Sequence, residues 1–213
     1  MAGSNRGYDA TGRRAAAERN RAAVVDACRE LVLRDGYRAT TIKAIAAHAG
    51  VSAELVYKVF GAKKDVLKAV YDVAIAGDHE PVEMAARPEL RQVLAAGSVG
   101  EKLERYVRFV LGVHQRLGGL VTVLAEPDPD VAEIVAVLEA ERLVGVGCFV
   151  EHLAERGMLG VGVEARQATD ACWLLTSQLV FVRLTEGRGW PAERYGSWLA
   201  TMLRANLLGP AGR

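Results

Sequence analysis

The chain has 213 residues, 51% of them hydrophobic and 6% aromatic, and a formal net charge of +1. That length allows one large or two small domains, and the weight of Ala, Leu and Val favours helix over strand. Cys28, Cys148 and Cys172 are odd in number, far apart and form no CxxC, which argues against a secreted disulfide framework. No run reaches the roughly 18 apolar residues of a membrane span, and the polar, basic N-terminus lacks the apolar stretch of a signal peptide. A cytoplasmic protein with no membrane partner is expected.

The small net charge conceals an asymmetry. Up to Lys68 there are 13 Lys and Arg against 7 Asp and Glu, and after it 14 against 19. A basic first third on an acidic remainder fits a nucleic-acid-binding head on a body that does not bind nucleic acid.

Residues 1–13 lack periodicity and read as a disordered basic arm, in which Arg6 and Arg13, with Arg14 beside them, could reach phosphates or a minor groove. A first helix is predicted from Arg14 to Asp35, with Val24, Ala27, Cys28, Leu31 and Val32 on one face and Gly36 at its C-terminal end. The stretch Thr41 to Phe60, TIKAIAAHAGVSAELVYKVF, then reads as two short helices around a tight turn. Ile42, Ile45 and Ala46 supply an apolar face. Gly50 can take the positive φ of the turn, and Ser52 can cap the second helix, about 52–60. Val56 and Phe60 point inward, while Ala53, Glu54, Tyr57 and Lys58 point outward. A small apolar residue, a phenol and an amine on one exposed face suit a base-reading helix.

The flanks add to this. Gly36-Tyr37-Arg38-Ala39-Thr40-Thr41-Ile42, then Ile45-Ala46, Ala49-Gly50-Val51-Ser52, Val56-Tyr57-Lys58-Val59-Phe60, Lys63 and Leu67 resemble, at many fixed spacings, the DNA-binding domain of the TetR family of transcriptional regulators. The resemblance covers the first third of the chain. It implies an all-α fold of about nine helices: an N-terminal three-helix helix-turn-helix domain over 14–62, a connecting helix over 63–76, and an effector-binding and dimerisation domain over 77–213. It also implies backbone contacts to DNA by Thr40, Thr41, Lys43 and Lys63, beside Ser52, Ala53, Glu54, Tyr57 and Lys58 on the recognition helix. Two positions depart from the family pattern. Val59 stands where His or Tyr usually touches phosphate, so Lys58 is the expected substitute. Glu54 repels phosphate but can accept from a cytosine amino group.

Residues 77–98 read as a linker with a short helix from Pro88 to Ala96. Beyond it, Leu103, Tyr106, Val107, Val110, Leu111, His114 and Leu117 form a wide apolar stripe that Gly118-Gly119 interrupts. Asp128 and Pro129 open a helix over Val131–Arg156, with Ile134, Val135, Leu138, Leu143 and Phe149 inward and Gly145 and Gly147 within it. The last two helices are expected at Glu164–Glu186 and Pro191–Leu208. The first is apolar on nearly every face, so a second copy of the chain is the natural cover. Trp173, Leu179, Phe181, Trp198, Met202 and Leu203 are the expected interface of a homodimer that sets two heads about 34–36 Å apart along duplex DNA.

There is no GxSxG, Walker loop or HExxH. No enzyme activity, cofactor or resident metal is expected. The resemblance places a small-molecule pocket among the middle helices of the body, for which Tyr106, Phe109, His114, Arg142, Trp173 and Gln178 are the candidates. The expected function is a repressor released from a palindromic operator by an effector of unknown identity. The alternatives are a metal- or redox-responsive regulator using Cys148 and His152, with His114 or Cys172, and a ligand-free architectural DNA-binding protein.

Overall fold

A computed structural model describes residues 6–209, with side chains from 11 onward. These form eleven α-helices and one 3-10 turn, with no strand. The described residues form two compact units, one of residues 6–79 with 119–134, the other of 80–118 with 135–209.

The first unit holds α1 (Arg6–Asp35), α2 (Ile42–Ala49), α3 (Ala53–Phe60), α4 (Lys63–Ala76) and α7 (Leu120–Leu124). Helix α1 starts at Arg6, earlier than the sequence reading placed it. Part of the segment expected to be a disordered arm is therefore helix, and residues 1–5 lie outside the described residues. Alanine-rich sequence and the Arg14–Glu18 pair at 3.0 Å, one turn apart, favour that extension. Val24, Ala27, Cys28, Leu31 and Val32 are buried along α1 as the periodicity requires, with Ile42, Ile45, Ala46 and Val56 from the two short helices and Leu67, Val70 and Tyr71 from α4.

The second unit holds the 3-10 turn Met84–Ala86, α5 (Pro88–Ala95), α6 (Val99–Leu117), α9 (Ala165–Leu175), α10 (Gln178–Arg188) and α11 (Ala192–Leu208). Helix α8 (Pro129–Glu155) has its first turn in the first unit and the remainder in the second. Asp128 caps it, accepting from the Asp130 N–H at 3.0 Å. Gly145 and Gly147 would bring an added Cβ within 4 Å of nothing, so they mark neither a break in α8 nor a close approach. Leu143, expected inward, is exposed.

Leu103, Tyr106, Val107 and Val110 of α6 pack with Phe149, Val150 and Leu153 of α8 and Tyr195, Leu199, Leu203 and Leu207 of α11. Gly196 lets α11 lie close on α6, since a Cβ there would stand 2.7 Å from Leu111 Cδ1. The carbonyls at the end of α5 are satisfied from α6. The Lys102 ammonium donates to Leu94 O at 2.5 Å, and the Arg105 guanidinium to Gln92 O at 3.0 Å.

The helix expected over Glu164–Glu186 is two helices. Thr176 turns its hydroxyl back to Cys172 O at 2.7 Å, and Ser177 accepts from the Leu179 N–H at 3.3 Å. Two adjacent hydroxyls that bond to the backbone end one helix and start another. That break, together with α7, raises the count above the expected nine.

Residues Gly119–Ile134, assigned from sequence to the second domain, belong with the first unit because polar contacts hold them there. The Tyr71 hydroxyl donates to Leu120 O at 2.6 Å. Glu126 accepts from the Tyr37 N–H at 2.7 Å and the Arg38 N–H at 3.3 Å. The Tyr37 hydroxyl donates to Asp130 at 2.7 Å. Burial and the Asp130 carboxylate push the Tyr37 phenol well above its ordinary pKa, so it stays a donor. Lys64 pairs with Glu133 at 2.7 Å.

Two predictions follow from this packing. Tyr37→Phe strands the Asp130 carboxylate, and Glu126→Ala strands two N–H groups. Each should lower the unfolding free energy by about 1–3 kcal/mol in urea titration, and unchanged midpoints would show that the contacts carry no stability. His114, buried on α6, has its pKa lowered to about 4 from 6.5, first by desolvation. A neutral folded-state histidine contributes stability that is complete above the unfolded value and is lost as pH falls from about 6.5 toward 4. Stability read by thermal unfolding should therefore fall over that window by on the order of 3 kcal/mol, and His114→Phe should flatten this part of the profile.

Candidate nucleic-acid interface

The first unit fixes α3 from both ends. Thr41 caps α2, its hydroxyl accepting from the Ala44 N–H at 3.1 Å. Gly50, at φ 68°, ends α2 by donating to Ala46 and Ala47 carbonyls, a backbone geometry that a side chain would strain. Ser52 caps α3, accepting from the Leu55 N–H at 3.2 Å. Beneath α3, Val56 is fully buried, and the Arg21 guanidinium lies 5.1 Å from the centre of the half-buried Phe60 ring. At the far end, Asp65 accepts from the Ala62 N–H at 2.9 Å and locks the entry to α4.

This scaffold leaves Tyr57 57% exposed, with Lys58 and Val59 exposed beside it. Neither the Tyr57 nor the Lys58 side chain has a hydrogen bond or ion pair with another described residue. Lys43 and Thr41 are exposed on α2 and at its cap, and Ala53 is half-buried. The Glu54 carboxylate is held below its usual pKa first by its own backbone N–H and then by Ser52. It is thus turned onto the helix terminus.

Two expected DNA contacts have structural work instead. Thr40 is only 2% exposed and donates its hydroxyl to Gly36 O at 2.8 Å, which removes it from any outer surface. The Lys63 ammonium donates to Tyr37 O at 2.9 Å and sits 3.8 Å from the centre of the Tyr37 ring. It braces the turn between α1 and α2 rather than standing free for a phosphate. The sequence reading missed the acceptors of this turn, Glu126 and Asp130, because they lie about ninety positions away along the chain.

In the second unit, the six candidate pocket residues fall close together. Tyr106 stacks on Phe149 at 4.0 Å and on Phe109 at 6.3 Å. Arg142 lies 4.7 Å from the centre of the Trp173 ring and donates to the Trp173 carbonyl. Gln178 donates to His114 O at 3.4 Å, and His114 stacks on Phe181 at 4.9 Å. Of the expected interface residues, Leu203 is at 0% exposure within the core and Phe181 packs on His114 and Tyr195, so neither forms an outer face. Trp173, Trp198 and Met202 are half-buried, and Leu179 is 62% exposed.

The metal- and redox-responsive alternative finds no constellation here. Cys148 is exposed, while burial pushes the Cys172 thiol up to about 12. His152 faces Arg156 at 3.2 Å. Among the described residues, no three His, Cys, Asp or Glu side chains are grouped to hold an ion.

Comparison with known proteins bears on the first unit most directly. A family model described as bacterial regulatory proteins of the tetR family matches residues 24–70. No curated protein matches the chain. Among solved structures, a TetR-family transcriptional regulator from Syntrophomonas wolfei superposes with a TM-score of 0.71 at 14% identity, over 87% of this chain and 93% of that one. NalD, the secondary repressor of the MexAB-OprM multidrug efflux pump in Pseudomonas aeruginosa, gives 0.67 at 21% identity, over 92% and 99%. The regulator FadR from Bacillus subtilis, in complex with stearoyl-CoA, gives 0.63 at 16% identity, over 89% and 98%. The matched segment contains α2, α3 and most of α4, so the first unit is similar to the tetR family of bacterial regulatory proteins, and the solved structures share the all-helical fold of the chain as a whole.

Proposed function

We propose that the protein represses transcription by binding a palindromic operator as a homodimer, and that a small molecule held in its second unit releases it. The observation that carries this reading is the exposed face of α3, where Tyr57 and Lys58 project from a capped, buttressed helix without internal partners. A side chain left free on a rigid element is free to bond outward. Tyr57 suits a base edge or sugar, and Lys58 suits the phosphate that the family's usual His or Tyr would meet at Val59. Thr41, Lys43 and the N-terminus of α2 supply further backbone contacts.

Dimerisation finds support in apolar side chains that nothing in the second unit covers. Leu174 and Leu179 near the break between α9 and α10, and Val137, Leu143 and Val144 on α8, are all exposed. An isologous contact would cover each such patch with its own copy and pair two heads on one duplex.

An effector must favour a state of the dimer whose heads no longer fit successive major grooves. Linkage then requires the operator to weaken effector binding by the same factor. That structural relatives include a repressor of an efflux pump and a regulator bound to stearoyl-CoA supports an effector-controlled repressor without indicating this chain's effector.

On a selected operator, Tyr57→Ala should weaken binding by about 10- to 100-fold. Lys58→Ala should weaken it about equally on all sequences and reduce the salt slope by about 1. Fluorescence anisotropy over a salt series reads both, and undiminished affinity in both variants would remove α3 as the reading helix. Leu174→Glu with Leu179→Glu should turn a dimer into a folded monomer in analytical ultracentrifugation. A dimer surviving that double change would place the interface elsewhere.

A further inference from the structure

The second unit has a cavity of about 160 Å³ between α5 and α6. Helix α6 lines it with Arg105, Arg108, Phe109, Gly112 and Arg116, and α5 with Glu89 and Gln92. The α6 positions recur every three or four residues, so they share one face. Three guanidinium groups therefore surround one small space within roughly 17 Å of helix. Like charges at such spacings destabilise a helix, and opposite charges one turn apart stabilise it.

The usual counter-charge is missing at two of the three. Arg105 is balanced: it pairs with Glu101 at 2.5 Å and donates to Gln92 O at 3.0 Å. Arg108 is exposed and has no hydrogen bond or ion pair with another described residue. The acid one turn before it, Glu104, pairs with Arg204 at 3.1 Å. One turn after Arg108, and one turn before Arg116, lies position 112. An acid there would sit between both guanidinium groups, and the chain has glycine instead. Glu89 also lines the cavity, and it has no ion pair with another described residue either.

Nothing in the backbone calls for glycine at 112. Its φ is not positive, and a glycine inside a helix weakens it. What Gly112 provides is space. A Cβ there would stand 3.1 Å from Arg116 Nη1, so that guanidinium folds back over bare backbone at the cavity floor. Phe109 supplies an apolar wall: it is half-buried, packs on the core of the unit and still lines the cavity.

We propose that this cavity binds an organic oxyanion, a carboxylate or a phosphate ester. Its acid group takes the place over Gly112 that a glutamate would fill, between Arg108 and Arg116, and its apolar body lies against Phe109. The planar fork of a guanidinium matches either acid, and an aromatic wall beside the charges favours an organic anion over an inorganic one. The binding follows from this face of α6 alone. That the anion is the effector rests on the reading of the second unit as an effector domain.

The test uses the full-length protein at pH 7.5 and a fixed, low salt concentration, with three probes titrated by ¹⁹F line broadening: 4-fluorobenzoate, 4-fluorophenyl phosphate and the neutral 4-fluorobenzamide. At least one anion should bind 10-fold or more tightly than the amide, and the tighter of the two anions identifies the acid. Arg108→Gln should weaken that anion about 10-fold, and Glu89→Gln should tighten it. Gly112→Glu places the acid within the chain. It should abolish anion binding and yet raise the thermal midpoint by about 2–4 °C, because it removes a mid-helix glycine and pairs with both arginines. A variant that merely damaged the fold could not give both effects. Absence of anion binding, an amide that binds as tightly as both anions, or anion binding that survives both Arg108→Gln and Gly112→Glu would overturn the assignment. Operator anisotropy separates the two levels. Anion binding of the expected pattern that leaves operator affinity unchanged upholds the site and refutes its effector role. Release of the operator by a neutral compound that is indifferent to both variants upholds effector control and overturns this cavity as its seat.

Discussion

The turn at Gly36-Tyr37-Arg38 is the constraint on which the first unit depends. It joins α1 to the helix-turn-helix, and its polar groups are held partly within the turn and partly by distant segments of chain. Glu126 accepts from two of its backbone N–H groups, Asp130 accepts from the Tyr37 phenol, Lys63 donates to the Tyr37 carbonyl, and Thr40 donates to the Gly36 carbonyl. A turn with this many fixed bonds has few alternative conformations, and the direction of α2 follows from it. The direction of α3 then follows from the Gly50 turn and the Ser52 cap. The outward presentation of Tyr57 and Lys58 is thus a consequence of satisfying buried polar groups three elements away.

Elements set by local chemistry were legible from sequence. The cap at Ser52, the positive φ at Gly50, the buried faces of α1 and α6, and the start of α8 at Asp128–Pro129 all depend on residues within a turn of one another. What depended on distant partners was not legible. Thr40 and Lys63 share the polarity and position of residues that meet phosphate, and only the long-range fold reveals that both are spent on the Gly36–Tyr37 turn. Leu203 lies on the same apolar stripe as Trp198 and Met202, yet periodicity cannot say which rows of a stripe face the protomer's own core. The break at Thr176–Ser177 was hidden in an apolar run, because two hydroxyls that end a helix look like two helix-compatible residues until their backbone bonds are known.

The two units handle polarity in opposite ways. In the first, buried and half-buried polar groups around Tyr37 are paired with partners from distant segments, which suits a part that must hold one geometry. In the second, the apolar core formed by α6, α8, α9 and α11 has beside it side chains with hydrogen-bonding capacity to spare at Arg142 and Trp173. Spare capacity in a core is a cost to stability and an opportunity for recognition. Residues Gly119–Ile134 complete the grip on the turn in the first unit, and the same helix α8 carries Arg142 in the second.

The central claim is that this chain reads a specific operator through α3 as a two-fold dimer. Its most direct test is to recover and sequence the sheared genomic DNA that the full-length protein retains at a fixed, moderate salt concentration, since affinity for DNA depends steeply on salt. The account predicts a few sharp sites sharing an inverted repeat whose half-sites are centred about one helical turn, or a multiple of it, apart. Diffuse retention without a shared repeat, at a salt concentration that still permits binding, would contradict it.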